Sequence, residues 1–187
     1  MKLKSVLFAF ALLIVVGSVF RLLGFAPQIA MAVFGGAMIA DKKLAFALPL
    51  LSMFLSDVLY EVLYQQGYFA YGGFYEGQLA NYILIAALTL VGFMVKGWNW
   101  GRIGLATLIA PTVFFLASNF AVWAGGGGYQ HAKTYNGLML CYADALPFYR
   151  SSLISTAVFS IILFGGYYLI ERYVLQSRKP EAVSLKS

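Results

Sequence analysis

An all-α, polytopic membrane protein, a bundle of six transmembrane helices with both termini cytoplasmic, is the fold class this sequence predicts. Three observations predict it. The 187 residues are 61% hydrophobic, 17% aromatic and only 11% charged, whereas about a quarter of a soluble domain is charged. The apolar residues gather into six stretches, Ser5–Leu23, Ala26–Ala40, Leu44–Tyr60, Asn81–Val95, Ile103–Ala124 and Ser152–Ile170. With the N-terminus inside, Lys2, Lys4, Lys42, Lys43, Lys96, Arg102, Arg172, Arg178, Lys179 and Lys186 all fall on the cytoplasmic side, ten of the thirteen Lys and Arg. Only Arg21, Lys133 and Arg150 lie outside, which is the direction in which basic residues near span ends set orientation.

A span needs about 20 residues at 1.5 Å rise to cross some 30 Å of hydrocarbon. The first stretch meets this. Its basic Met1–Lys4 lead resembles a secretory signal, but a signal core is about 7–15 residues, and this run continues to Leu23 with no A-x-A site. It is read as a retained span of an inner-membrane protein. The second stretch is short: Pro27 opens it and Asp41-Lys42-Lys43 closes it. It is either a tilted helix or a re-entrant piece buried among its neighbours, and the charge bias favours crossing. It carries small residues at helical spacing, Ala32, Gly36 and Ala40 with Gly35 alongside. Such a face packs helices closely in lipid, either within the bundle or against another protein. Spans three to six follow with short inner connections at Asp41–Lys43 and Lys96–Arg102.

The outer connections are long. Gln65–Gly77 is rich in Tyr, Phe and Gly, the composition of an interfacial lid or of an aromatic belt. Gly125–Gly128 reads as a glycine hinge after span five. Tyr135–Tyr149 reads as a short surface helix, with Leu138, Cys141 and Tyr142 on one face and Pro147 ending it. Residues 1–176 are one membrane domain, and 177–187 read as a disordered cytoplasmic tail. The net charge of +6 is explained by span-end clusters facing lipid headgroups, so no nucleic-acid partner is expected.

Polar groups inside the spans cluster toward the outer side: Arg21, Ser52, Ser56, Asp57, Asn81, Ser118 and Asn119. Charges near hydrocarbon are costly and face the bundle interior. Asp57 and Glu61 lie one turn apart on span three. Asp57 either pairs with Arg21 to staple spans one and three or, with Arg21 and Asn119, presents hydrogen-bonding groups to a solute. His131 and Cys141 match no metal-ligand spacing. His131 reads as a solvated loop side chain. Cys141, within Leu140-Cys141-Tyr142-Ala143-Asp144 over the mouth, reads as a packed small hydrophobe or as an axial ligand to a metal complex. One cysteine excludes an internal disulfide, and no resident cofactor or metal is expected. Enzyme readings fare poorly: one Asp within a span does not make an aspartyl protease, no His lies at membrane depth, and no phosphate loop is present.

The run Phe25-Ala26-Pro27, Ala30-x-Ala32-x-Phe34-Gly35-Gly36-Ala37, Ala45-Phe46-x-x-Pro49-Leu50 and Ser56-Asp57, followed by Ser118-Asn119-Phe120-x-Val122-Trp123, Gly137-Leu138, Cys141-Tyr142 and Leu146-Pro147-Phe148, resembles a bacterial family of small transport-type proteins of unknown substrate. That family is similar to the S components of energy-coupling factor (ECF) transporters. The resemblance spans most of residues 20–165 and rests on the ordered combination. It implies a six-helix protein that captures a vitamin-like molecule or metal complex on the outer side, with membrane lipids around it and an ATPase-bearing module as partner. Trp123, Asn119, Cys141, Tyr142 and Pro147 would then be site residues with Asp57, and Arg21, Glu61 and Asp144 join them by position. The chain departs from the pattern at Gly24, Ser151 and Thr156, and span one lacks the A-x-x-x-A docking signature, so a solitary transporter stands beside a module-driven one. The rival class is a non-transporting membrane subunit or scaffold.

Overall fold

The computed structural model describes residues 3–95, 97–125 and 130–176, and the side chains of 10–95, 97–125 and 130–173 within them. The glycines of the expected hinge beyond Gly125 and the tail 177–187 lie outside the described residues. All regular structure in the described residues is helical: α1 Leu3–Leu22, α2 Gln28–Met38, α3 Lys42–Gln65, α4 Gln78–Phe93, α5 Trp100–Gly125, α6 Tyr135–Ser160 and α7 Gly166–Gln176. A π-helical segment, Ile161–Gly165, joins α6 to α7 without a break. Three of these rods, Lys42–Gln65, Trp100–Gly125 and Tyr135–Tyr173, are long and apolar enough to cross a membrane, and Phe10–Leu22, Gln28–Met38 and Gln78–Phe93 are shorter apolar helices.

The short α2 is the hub. It packs against α3, α4, α5, α6 and the π-helical segment, and every residue from Gln28 to Gly35 is buried. Its small residues make this fit. A methyl group on Gly36 would fall 2.9 Å from the Gly92 Cα of α4, and one on Gly35 would fall 2.7 Å from the Ala45 carbonyl oxygen of α3. The small face is therefore consumed inside the bundle, where close backbone approach lets dispersion contacts accumulate. Ala40 is the exception. The helix stops at Met38, Ile39 turns to an extended conformation, and Ala40 is exposed. Eleven residues rise about 16 Å, half of the ~30 Å hydrocarbon layer. The expected helix over Ala26–Ala40 is thus shorter at both ends.

Local signals set the other boundaries. Asp41 caps α3, its side chain accepting from the Lys43 and Leu44 backbone N–H groups, a contribution of about 1 kcal/mol. Gly77 precedes α4 with φ of +84°, a conformation that disfavours side chains. The expected stop at Pro147 does not occur: α6 runs through it. Proline removes one backbone donor, but contacts to α5 on both sides brace the helix through it. Tyr142 donates to the Leu116 carbonyl (2.9 Å), and the Tyr149 hydroxyl meets Thr112 Oγ1 (2.8 Å). Phe115 lies between them, stacked on Tyr149 with centroids 4.6 Å apart. The short surface helix and the sixth span are consequently one rod.

Contacts also fix directions. α1 runs parallel to α3, since Ser18 Oγ donates to the Ser52 carbonyl (2.8 Å) and, further along both helices, Tyr60 donates to the Arg21 carbonyl (3.2 Å). α5 and α6 are antiparallel. At one end Trp98 donates to Glu171 (2.7 Å) and stacks on Tyr167, while Trp100 meets Tyr168 edge-on. Lys42 lies over the Phe93 ring at this same end.

Candidate functional site

At the opposite half of the bundle, a hydrogen-bonded cluster ties three helices around one carboxylate. Asp57 of α3 is 1% exposed. Arg21 of α1 donates to its Oδ1 through Nη1. Gln78 and Tyr82 of α4 donate to its Oδ2, each at 2.5 Å. The same Arg21 nitrogen also donates to Ser56 Oγ (2.6 Å) and to the Met53 carbonyl (3.3 Å). A buried carboxylate with a cation and two further donors has the satisfaction that low dielectric demands. Of the two readings of Asp57, the geometry builds the staple, and it extends to α4, which the sequence reading did not include.

Arg21 faces the other way as well. It lines a cleft of about 290 Å³ with Gly24, Ala26, Gln28, Ile29, Met53, Asn81, Ile85, Phe114, Phe148, Ser151 and Ser152. This is a largely apolar hollow between α1, α2, α3, α4, α5 and α6 with a few polar groups converging on it, the usual composition of a small-molecule site. Its size is at the small end of the usual ~300–1,000 Å³. Asn81 connects it to a second hollow of about 460 Å³ lined by Tyr75, Gly77, Ser118 and Gly125 among others. Asn81 also donates to the Tyr75 hydroxyl (2.6 Å), so the aromatic loop is tied to the cleft rim.

That loop is anchored rather than loose. Glu61 accepts from the Gly73 backbone N–H (3.1 Å) and from Gln65 (3.0 Å), and Gln78 donates to the Gly73 carbonyl (3.1 Å). Gly73 packs directly on the α3 backbone at Asp57, a position with no room for a side chain. Tyr60, Phe69 and Tyr71 form a ring cluster beside it. Glu61 therefore holds the loop and does not line the cleft.

The remaining expected site residues lie on the α5–α6 seam, away from the cleft. Asn119 donates to the Phe115 carbonyl of its own helix (2.8 Å). Trp123 donates to the Ala132 carbonyl (3.0 Å), with Lys133 over its ring. Cys141 is buried with Sγ 3.6 Å from the Asn119 carbonyl, the packed-hydrophobe environment rather than an open ligand. Tyr142 bonds to α5 as described. Asp144 pairs with His131 at 2.9 Å, which corrects the reading of His131 as a solvated side chain. Among the described residues no three His, Cys, Asp or Glu side chains gather in one place. The face Ala32, Gly35, Gly36 and Ala40 divides: Ala32 and Gly35 are core, while Gly36 and Ala40 border a shallow hollow of about 510 Å³ near Lys42 and Gly97.

Sequence reasoning missed Gln28, Phe114, Phe148, Ser151 and Ser152 as cleft residues, and Gln78 and Tyr82 as partners of Asp57. Gln28 had a signal: a polar residue directly after Pro27, heading an otherwise apolar stretch. With Pro147 read as a stop, Ser151 falls at the end of the expected outer connection and Ser152 at the first residue of the expected sixth span, so neither is expected inside a cleft.

Over residues 1–180 the chain matches the family described as Family of unknown function (DUF6580), and it belongs to that family. No curated protein and no solved structure matches it.

Proposed function

We propose that this chain, as a member of that family, is a six-span polytopic protein of the inner membrane, of S-component type, with both ends cytoplasmic, that captures a small solute from the outer side for uptake. The observation that carries the reading is the cleft beside Arg21. A charged side chain held at membrane depth, pinned on one side and open to a solute-sized hollow on the other, is a functional feature by default in a membrane bundle. The distribution of basic residues supports the orientation: Lys42, Lys43, Arg102 and Arg172 belong to the end marked by the Trp98 cluster, and Arg21 and Lys133 to the other. The short α2 completes the bundle as a buried half-length helix extended by irregular backbone, which is tolerated where protein surrounds it.

In this mechanism the solute enters past Tyr75 and Asn81 and settles against Arg21, Gln28 and the Phe114 and Phe148 rings. The sequence holds no phosphate loop, so energy for release inward comes from a partner module or from the solute gradient. Native mass spectrometry of the protein purified in mild detergent tests the reading. A small molecule retained by the wild type and lost from Asn81→Trp, which fills the rim, supports it. A stoichiometric protein partner with no small molecule would assign the chain to the rival class, a membrane subunit or scaffold.

A further inference from the structure

We propose that α7 is a hinged arm at the end of the bundle away from the Asp57 cluster, turning on the π-helical segment Ile161–Gly165 and latched by Trp98 against Glu171. The arm goes beyond the solute reading and stands or falls separately from it. Three observations point to it.

The first is a hinge that packing does not explain. π-helical turns are rare, and sharp bends in helices occur at such turns and at glycine pairs. Here the two coincide, since Gly165 closes the π-helical segment and Gly166 opens α7. Glycine is a poor helix former, so its place in a long rod asks for a cause. At Gly35, Gly36 and Gly92 the cause is a neighbouring backbone that a methyl group would strike. A methyl group on Gly165 or Gly166 would meet nothing within 4 Å, and neither residue has the positive φ that favours glycine. What remains is the ability to bend.

The second is a reserve of donors. In the last two turns of α6 the hydroxyls of Ser155, Thr156 and Ser160 are buried with no hydrogen-bond partner. Bending a helix frees backbone carbonyls, and at membrane depth Ser and Thr side chains re-satisfy them. These three hydroxyls lie directly before the segment where a bend would free such groups.

The third is the latch. Among the described residues, the only extended contact of α7 is with the π-helical segment it continues, so side chains hold it to the bundle. Trp98, in the α4–α5 connection, donates to Glu171 (2.7 Å) and stacks on Tyr167, and Tyr168 lies edge-on to both Trp98 and Trp100. Tyr167 also meets Phe34 of α2 edge-on, with centroids 5.8 Å apart. Tyr167, Tyr168 and Glu171 share one face of α7, and Leu169, Ile170 and Tyr173 on the other face are exposed. An outward swing therefore breaks one hydrogen bond and a few ring contacts while the apolar face stays where it was, in lipid. It carries Tyr167 off Phe34 and so releases one end of α2, whose other end, at Gln28 and Ile29, lines the cleft.

Pulsed electron–electron double resonance on the full-length protein in lipid nanodiscs tests the arm. In a Cys141→Ala background, spin labels at Leu105→Cys and Tyr173→Cys, both exposed positions, report α5 to α7. A second pair at Leu105→Cys and Ile154→Cys, also exposed, reports α5 to α6 as a reference. The expected result is a longer Leu105–Tyr173 distance beside the latched one. Trp98→Phe, which keeps a ring and removes the hydrogen-bond donor, should raise its share about threefold or more. Gly165→Ala with Gly166→Ala, for which there is room, should lower it. The reference distance should stay fixed throughout. A single Leu105–Tyr173 distance that Trp98→Phe leaves unchanged overturns the arm. A reference distance that shifts as well shows the whole bundle loosening and overturns the hinge, as does an unchanged share in the double alanine variant. None of these outcomes bears on the cleft, which the mass spectrum decides.

Discussion

Arg21 and Asp57, 36 positions apart in the chain, form an ion pair in which the Asp57 side chain is enclosed while the Arg21 side chain is 21% exposed. This asymmetry divides the two residues by role. Asp57 is committed to holding α1, α3 and α4 together, and Arg21 carries the resulting local order to the surface of the cleft.

Removing one partner should expose that division. Asp57→Ala strips Arg21 of its counter-charge and leaves Gln78 and Tyr82 without an acceptor, at a cost of about 3–5 kcal/mol for a broken buried pair. Its detergent thermal midpoint should fall steeply. The double replacement Arg21→Met with Asp57→Leu should recover the part of that stability lost to the unpaired Arg21 charge, with Gln78 and Tyr82 still lacking an acceptor, while losing solute binding. If Asp57→Ala melts like the wild type, the staple is not where the stability resides.

Glycines on α2 and α4 should differ sharply from those facing outward. Gly92→Leu would drive a side chain into the α2 backbone, since even a methyl group there approaches the Gly36 Cα to 2.9 Å. Loss of folded protein in size-exclusion chromatography is expected. Gly104 has open space around it, and Gly104→Ala should be neutral or stabilising by about 0.5–1 kcal/mol through helix propensity.

Continuity of α6 through Pro147 predicts that Pro147→Ala will not lower thermal stability, because it restores a helical backbone donor in a rod already held by α5. A lowered midpoint would show that the proline is required for a bend at this point.

Cys141, at 7% exposure, should resist thiol reagents in the folded protein and react fully once denatured. Rapid labelling of the native protein would place it at an open surface, contrary to its packing against Asn119.

Much of this architecture is legible from the order of residues. Hydropathy locates the centre of each apolar helix, since burial of apolar stretches needs no knowledge of partners, and the small residues around Gly35 and Gly36 announce a close helix contact. Asp57 stands out because an ionisable residue in an apolar run demands compensation. Its companions do not stand out. Gln78 and Tyr82 reach it only because the loop after Gln65 folds back through Glu61 and Gly73, a tertiary event with no local periodicity. Pro147 misled for the converse reason: a local helix-breaking preference was overridden by contacts from Thr112, Phe115 and Leu116 on another helix. That one error also hides Phe148, Ser151 and Ser152 from the site, whereas Asn119, Trp123 and Cys141, on the neighbouring seam, enter through the family resemblance rather than through any local signal.

The outward opening of the cleft is the claim on which solute capture depends, and side-specific labelling addresses it most directly. Ser151→Cys, made on a Cys141→Ala background so that it is the only thiol, should react with a membrane-impermeant maleimide added to the outer face of oriented vesicles. Reaction from the cytoplasmic face alone would contradict the account.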